Sequence, residues 1–121
     1  MKFRQVVLES GTKIILGRDK EQNECLMNAF LGKNNFILHT QAPGSPFCII
    51  LGKLKANDKK EAAVYCARYS QDWRDNKGNI KVSLFTGKDA YKLKTMPVGT
   101  FGVKKQKTII VKRNDILKML K

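Results

Sequence analysis

Residues 35–51 read NFILHTQAPGSPFCIIL, and the reading of this stretch decides the fold. Asn35–Thr40 is a short apolar segment. Phe47–Leu51 is a continuous apolar run of β-branched type, and both fit buried strands. Between them, Ala42-Pro43-Gly44-Ser45-Pro46 makes a tight loop, because Pro–Gly sets a turn and glycine allows positive φ. Strand follows strand with no helix between, which breaks the βαβ alternation of a doubly wound sheet.

On the N-terminal side, Phe3–Leu8 and Thr12–Leu16 flank a Glu9-Ser10-Gly11 turn and read as a β-hairpin. Asp19 is placed as an N-cap with Gln22 in the capping-box position. The helix Lys20–Leu31 follows, with Leu26, Met27 and Phe30 on its apolar stripe and Gly32 as its stop. On the C-terminal side, Asn57-Asp58 is expected to cap a helix over Lys59–Ser70. Its Ala62, Ala63, Cys66 and Ala67 form a face of small side chains that can approach a sheet closely. Asp75–Asn79 is a loop, and Ile80–Phe85 alternates as a half-buried strand. Thr86–Gly102 is loop-rich, Thr108–Val111 is a last strand, and Asn114-Asp115 precedes a short helix with Ile116, Leu117 and Leu120. The expected fold class is α+β: one small domain over residues 1–121, with a mixed, mostly antiparallel sheet, two main helices and a short C-terminal helix.

Charge is where the chain departs from an ordinary globular composition. Its 121 residues hold 24 Lys+Arg against 10 Asp+Glu, a net charge of +14. Half of that surplus lies in residues 88–113, where Lys88, Lys92, Lys94, Lys104, Lys105, Lys107, Lys112 and Arg113 face Asp89 alone. Such a surplus costs self-repulsion and fits a polyanionic partner, nucleic acid first and an anionic membrane surface second. No apolar run is long enough to span a membrane, and the opening MKFRQVVLESGTK lacks the apolar core of a signal peptide. The three scattered cysteines, Cys25, Cys48 and Cys66, read as free thiols, so a cytoplasmic location is expected. With a single histidine, His39, and no CxxC pair, no metal site is expected, and no cofactor motif is present. A catalytic role would have to pair His39 with Cys48 or Cys66 in space; a non-catalytic chain is the expectation.

Several segments mix phosphate-contacting groups with turns. Gly44-Ser45 offers backbone N–H groups and a hydroxyl. Arg18 stands beside the start of the helix at Lys20. Arg68-Tyr69-Ser70-Gln71-Asp72-Trp73-Arg74 sets arginines among aromatics, so Tyr69 or Trp73 could stack on a splayed base while Arg68 or Arg74 holds phosphate. Gly99-Thr100-Phe101-Gly102 spells GxxG but lacks the flanking helices of a KH loop, and reads as a plain turn.

Four ordered blocks resemble the NFACT-R domain. Gly17–Glu24 carries G-R-x-x-x-Q-N, through Arg18, Gln22 and Asn23. Phe36-Ile37-Leu38-His39 with Pro43-Gly44-Ser45 is similar to W-F-H…P-G-S. Glu61-Ala62-Ala63 with Ala67-Arg68-Tyr69-Ser70 is similar to E-A-A…Y-S. Val82–Thr86 is followed by a lysine-rich turn and Pro97-Val98-Gly99. Phe36 stands where the family usually has Trp, Asn35 replaces a common Asp, and Pro46 stands where His is common. The resemblance implies an RNA-binding module of translation and ribosome quality control, in a stand-alone form, contacting tRNA or RNA of the large ribosomal subunit. The alternative is an adaptor that docks on a tRNA-modification enzyme or a ribosome-associated protein. The C-terminal tailing of full-length family members is not implied. On this reading the RNA-contacting set is Arg18, Gln22, Asn23, His39, Gly44, Ser45, Arg68, Tyr69, Trp73, Arg74, Lys88, Lys92, Lys94, Lys104, Lys105 and Lys107.

Overall fold

The computed structural model describes residues 2–121. The two apolar strands around Pro43–Pro46 pair as β3 (Phe36–Thr40) and β4 (Cys48–Ile50). They sit at the centre of a six-stranded sheet. Its other members are β1 (Arg4–Val7), β2 (Lys13–Leu16), β5 (Ile80–Thr86) and β8 (Lys107–Val111). The spatial order is β1-β2-β4-β3-β5-β8 and every pairing is antiparallel. A separate two-stranded ribbon joins β6 (Ala90–Tyr91) to β7 (Gly102–Val103). The helices are α1 (Lys20–Phe30), α2 (Asp58–Arg68), α3 (Gln71–Asn76) and α4 (Arg113–Met119). This is the α+β domain expected from the sequence, and none of its helices is long and apolar enough to cross a membrane.

Side chains alternate across a strand, so paired residues share a face. Leu38, Cys48 and Leu84 lie in one row and meet α2, whose Ala62, Ala63, Cys66 and Ala67 are completely buried, and α4 through Ile116. Ile37, Ile49 and Phe85 lie in the next row and point the other way, onto Leu26 and Met27 of α1 and Ala90 of the ribbon. Each buried Leu or Ile contributes about 1.5–3 kcal/mol relative to exposure, so the two faces together fix the register. Further along the second face, the paired residues His39, Ser83 and Thr108 form a row beyond α1.

Asp19 caps α1 as expected, accepting from the Gln22 N–H at 2.8 Å. The start of α2 differs from expectation. Asn57 adopts a left-handed conformation and makes no side-chain cap bond. Asp58 instead turns back to the β1–β2 turn, where it accepts from the Ser10 hydroxyl at 2.6 Å, the Lys55 N–H at 2.7 Å and the Thr12 hydroxyl at 2.8 Å. Those bonds, the Ser10 hydroxyl foremost, hold its carboxyl below the usual range. Glu61 likewise reaches the Glu9 N–H. At α4 the capping acceptor comes from a distant loop, with Asn79 Oδ1 taking the Arg113 N–H at 2.9 Å, and not from Asn114 or Asp115. The segment after α2 is a helix, α3, and the loop-rich Thr86–Gly102 contains the β6–β7 ribbon.

Candidate functional site

The β3–β4 loop is held from three sides. From α1, Asn23 Nδ2 donates to the Ser45 carbonyl at 3.2 Å and its Oδ1 accepts from the Phe47 N–H at 3.0 Å. Gly17 has no Cβ, which leaves room for this carboxamide. From within, the Ser45 hydroxyl accepts from the Thr40 N–H at 3.0 Å. From α3, the Gln71 N–H donates to the Gly44 carbonyl at 2.7 Å. Gly44 sits at φ +87°, and a Cβ there would run into Gln71. Gln22 ties α1 to the chain before it, accepting from the Arg18 N–H and donating to the Lys2 carbonyl, both at 2.9 Å. Asn23, Gly44, Ser45 and Gln22 therefore build the site's frame.

Around this loop runs a groove of about 1060 Å³. At one end His39 lies flat on Phe47, ring centroids 4.2 Å apart and planes 25° apart. Phe101 and Phe85 meet Phe47 edge-on at 5.8 and 6.5 Å. Ser83 and Gln106 also line this end. Burial pushes the His39 imidazole down to about 4, against a smaller opposing pull from the Thr40 and Ser45 backbone, so the ring is neutral at neutral pH.

The other end is cationic. Tyr69, at the C-terminus of α2, holds three arginines: the Arg4 guanidinium lies 3.8 Å from its ring centroid and that of Arg68 4.4 Å, while Arg74 Nη1 donates to its carbonyl at 3.2 Å. Aromatic faces and a helix C-terminus both favour cations. Arg18 and Lys20 line the same groove, with Asp19 its single acidic residue. Tyr69 is thus a platform for guanidinium groups. Trp73, the other aromatic considered for stacking, is 4% exposed and belongs to the core.

The lysines divide. Lys92 is structural: its ammonium contacts Glu24 Oε1 at 2.8 Å and donates to the Pro97 and Thr100 carbonyls at 2.6 and 2.8 Å. The same Glu24 oxygen accepts from the Gly99 N–H at 2.7 Å, which pins the 97–100 turn against α1. These bonds, the Lys92 ammonium foremost, lower the Glu24 pKa. Lys88, Lys94, Lys104, Lys105 and Lys107 are exposed, and Lys105 and Lys107 flank the groove-lining Gln106. Lys92–Glu24 is the sole ion pair among the described residues. Cys48 of β4 and Cys66 of α2 are fully buried between that helix and the sheet face opposite His39, and burial pushes both thiols up, Cys66 to about 12. The cysteine–histidine pairing considered from sequence does not form.

Arg4, Lys20, Phe47, Phe101 and Gln106 were not among the residues singled out by sequence. One signal was legible for Arg4. In Arg4–Val7 it shares the inward parity of Val6, an unusual place for a guanidinium. The others are assembled by tertiary contacts alone.

Residues 2–105 match the family described as "NFACT protein RNA binding domain". Among curated proteins, the chain is 28% identical over 82 residues to the archaeal Rqc2 homolog aRqcH of Methanocaldococcus jannaschii. That match covers 65% of this chain and 12% of the relative. The chain thus spans a small part of the length of that protein. Among solved structures, the C-terminal part of the fibronectin/fibrinogen-binding protein from Streptococcus suis has the same fold, with a TM-score of 0.83 at 23% identity over 98% of this chain and 49% of that one. On the match over residues 2–105, the chain belongs to the NFACT RNA-binding domain family.

Proposed function

We propose that this domain binds RNA through its phosphates, with the Tyr69 arginine cluster as the principal contact. One observation carries the reading. Arg4, Arg68 and Arg74 converge on one residue, and among the described residues none of them has a carboxylate partner. Three guanidinium groups gathered without a counter-anion repel one another, and a polyphosphate backbone relieves that repulsion while matching their forked donors. Arg18 and Lys20 extend the track along the groove, and Lys88, Lys94, Lys104, Lys105 and Lys107 broaden the positive field. Family membership supports the same reading. The likeness to an Rqc2 homolog favours tRNA or ribosomal RNA as the target and ribosome quality control as the setting. No chemical step is assigned, and the action is recognition.

The test is a binding titration with tRNA, and co-sedimentation with ribosomes, over a salt series. With about five phosphates neutralised, log K should fall with log salt at a slope of roughly −3 to −4. Reversing Lys104 and Lys105 to Glu should weaken binding at every salt concentration. A flat salt dependence, or no binding at low salt, overturns the proposal. Ribosome association that survives both this reversal and Arg74→Glu unchanged would place the contact on a protein.

A further inference from the structure

The groove changes character along its length, and phosphate binding accounts for only one end. Lysines stand near both ends, through Lys20 and through Lys105 and Lys107 beside Gln106, but a duplex backbone has no use for an aromatic floor. Here the arginine end gives way to an aromatic floor, with the neutral imidazole of His39 stacked on Phe47 and the hydroxyl and amide groups of Ser83 and Gln106 beside it. The floor is rigid, because Phe101 and Phe85 both buttress Phe47 edge-on. The facing wall is rigid too, since Glu24 holds the Gly99 N–H and the Lys92 ammonium that gathers the Pro97 and Thr100 carbonyls. A pre-formed slot costs little ordering on binding. Its chemistry is that of a nucleotide, with a flat π-face and hydrogen-bonding edges next to a phosphate. Base pairing hides those faces within the stack, so only an unpaired residue can present them.

We propose that the His39 end of the groove takes one unpaired RNA base, stacked against the groove-lining His39 ring that rests on Phe47, while its flanking phosphates lie toward Arg18 and Arg74. This rests on the RNA-binding reading above and adds to it a preference for single-stranded or looped RNA over duplex. The aromatic side chain of an acidic peptide could also fill an aromatic slot beside arginines. RNA is favoured because residues 2–105 match an RNA-binding domain family and the chain carries a net charge of +14.

The test uses the intact chain with a single-stranded oligoribonucleotide carrying a central 2-aminopurine, and with a blunt RNA duplex. The expected results are quenching of 2-aminopurine on binding and a single-strand affinity that drops about tenfold in His39→Ala, while duplex affinity stays within about twofold. His39→Phe, which keeps the stacking surface, should restore both the affinity and the quenching. Should His39→Ala fail to fold, the quenching in the unaltered chain and the His39→Phe result decide the matter. Binding without quenching, or an equal loss for both RNAs, overturns the pocket and leaves phosphate binding standing. Failure to bind either RNA overturns both. Displacement of the oligonucleotide by a lower concentration of a tyrosine-bearing acidic peptide overturns it in favour of a protein occupant.

Discussion

At the residue scale, Tyr69 decides where charge is concentrated. Its ring and carbonyl hold three arginines that would otherwise spread apart. Each cation–π contact is worth about 0.5–2 kcal/mol. Tyr69→Ala should therefore weaken RNA binding about tenfold by releasing Arg4 and Arg68, whereas Tyr69→Phe, which keeps the ring, should bind within about twofold of the unaltered chain. Equal losses in the two variants would mean that the hydroxyl, and not the ring, matters. Asn23 acts differently, through two buried bonds to a loop more than twenty residues away in sequence. Asn23→Ala leaves the Phe47 N–H without its acceptor and should cost about 1–3 kcal/mol in urea unfolding. Its place in the G-R-x-x-x-Q-N block was legible in the sequence, but its role was not. A motif names a residue without naming what it touches, and Ser45 and Phe47 become its partners only when α1 lies across β4.

At the element scale, the 92–101 segment is an irregular connection that behaves as part of the frame. The Lys92 ammonium replaces a strand's worth of hydrogen bonds by gathering Glu24, Pro97 and Thr100 around one charge. Lys92→Met should leave the sheet intact and free this segment, seen as faster amide exchange at Gly99 and Thr100 with strands β3 and β5 unaffected. If protection at Gly99 persists, Glu24 alone fixes the turn. A lysine in a lysine-rich run gives no sign in the sequence of pairing with a glutamate 68 residues away. The missed helix α3 has a similar origin. Ser70 ends α2 by donating to the Ala67 carbonyl at 2.6 Å and begins α3 by accepting from the Trp73 N–H at 3.1 Å. One serine serves as stop and start, and the composition of the segment does not change across it. The central strands were legible because an apolar run and a Pro–Gly turn report on local structure directly.

At the scale of the whole molecule, two electrostatic consequences follow from how few charges are paired. The first concerns acid. His39 has a lower pKa folded than its ordinary 6.5, so between 6.5 and about 4 the unfolded chain binds more protons and stability falls as pH falls. Glu24 and Asp58 are lowered as well, so the stability they contribute is present above their ordinary values and lost as pH drops through their folded ones. The Tm should decline from pH 6.5 toward 4 and then more steeply below, and His39→Phe should flatten the upper part of that decline alone. An unchanged upper slope in that variant would assign the proton uptake elsewhere. The second consequence concerns position. With a net charge of +14, any lysine raises the general field, but only a residue in contact displaces a condensed counterion. Arg74 lines the groove, whereas Lys118 is an exposed residue of α4, which contributes nothing to the groove's lining. Arg74→Glu and Lys118→Glu change the net charge equally. Lys118→Glu should slow association at low salt while leaving the salt slope of the equilibrium constant unchanged. Arg74→Glu should reduce the magnitude of that slope by about 0.7–0.9. Equal slopes in the two variants would mean that the groove holds RNA no more closely than the rest of the surface, and that the arginine cluster is not the contact.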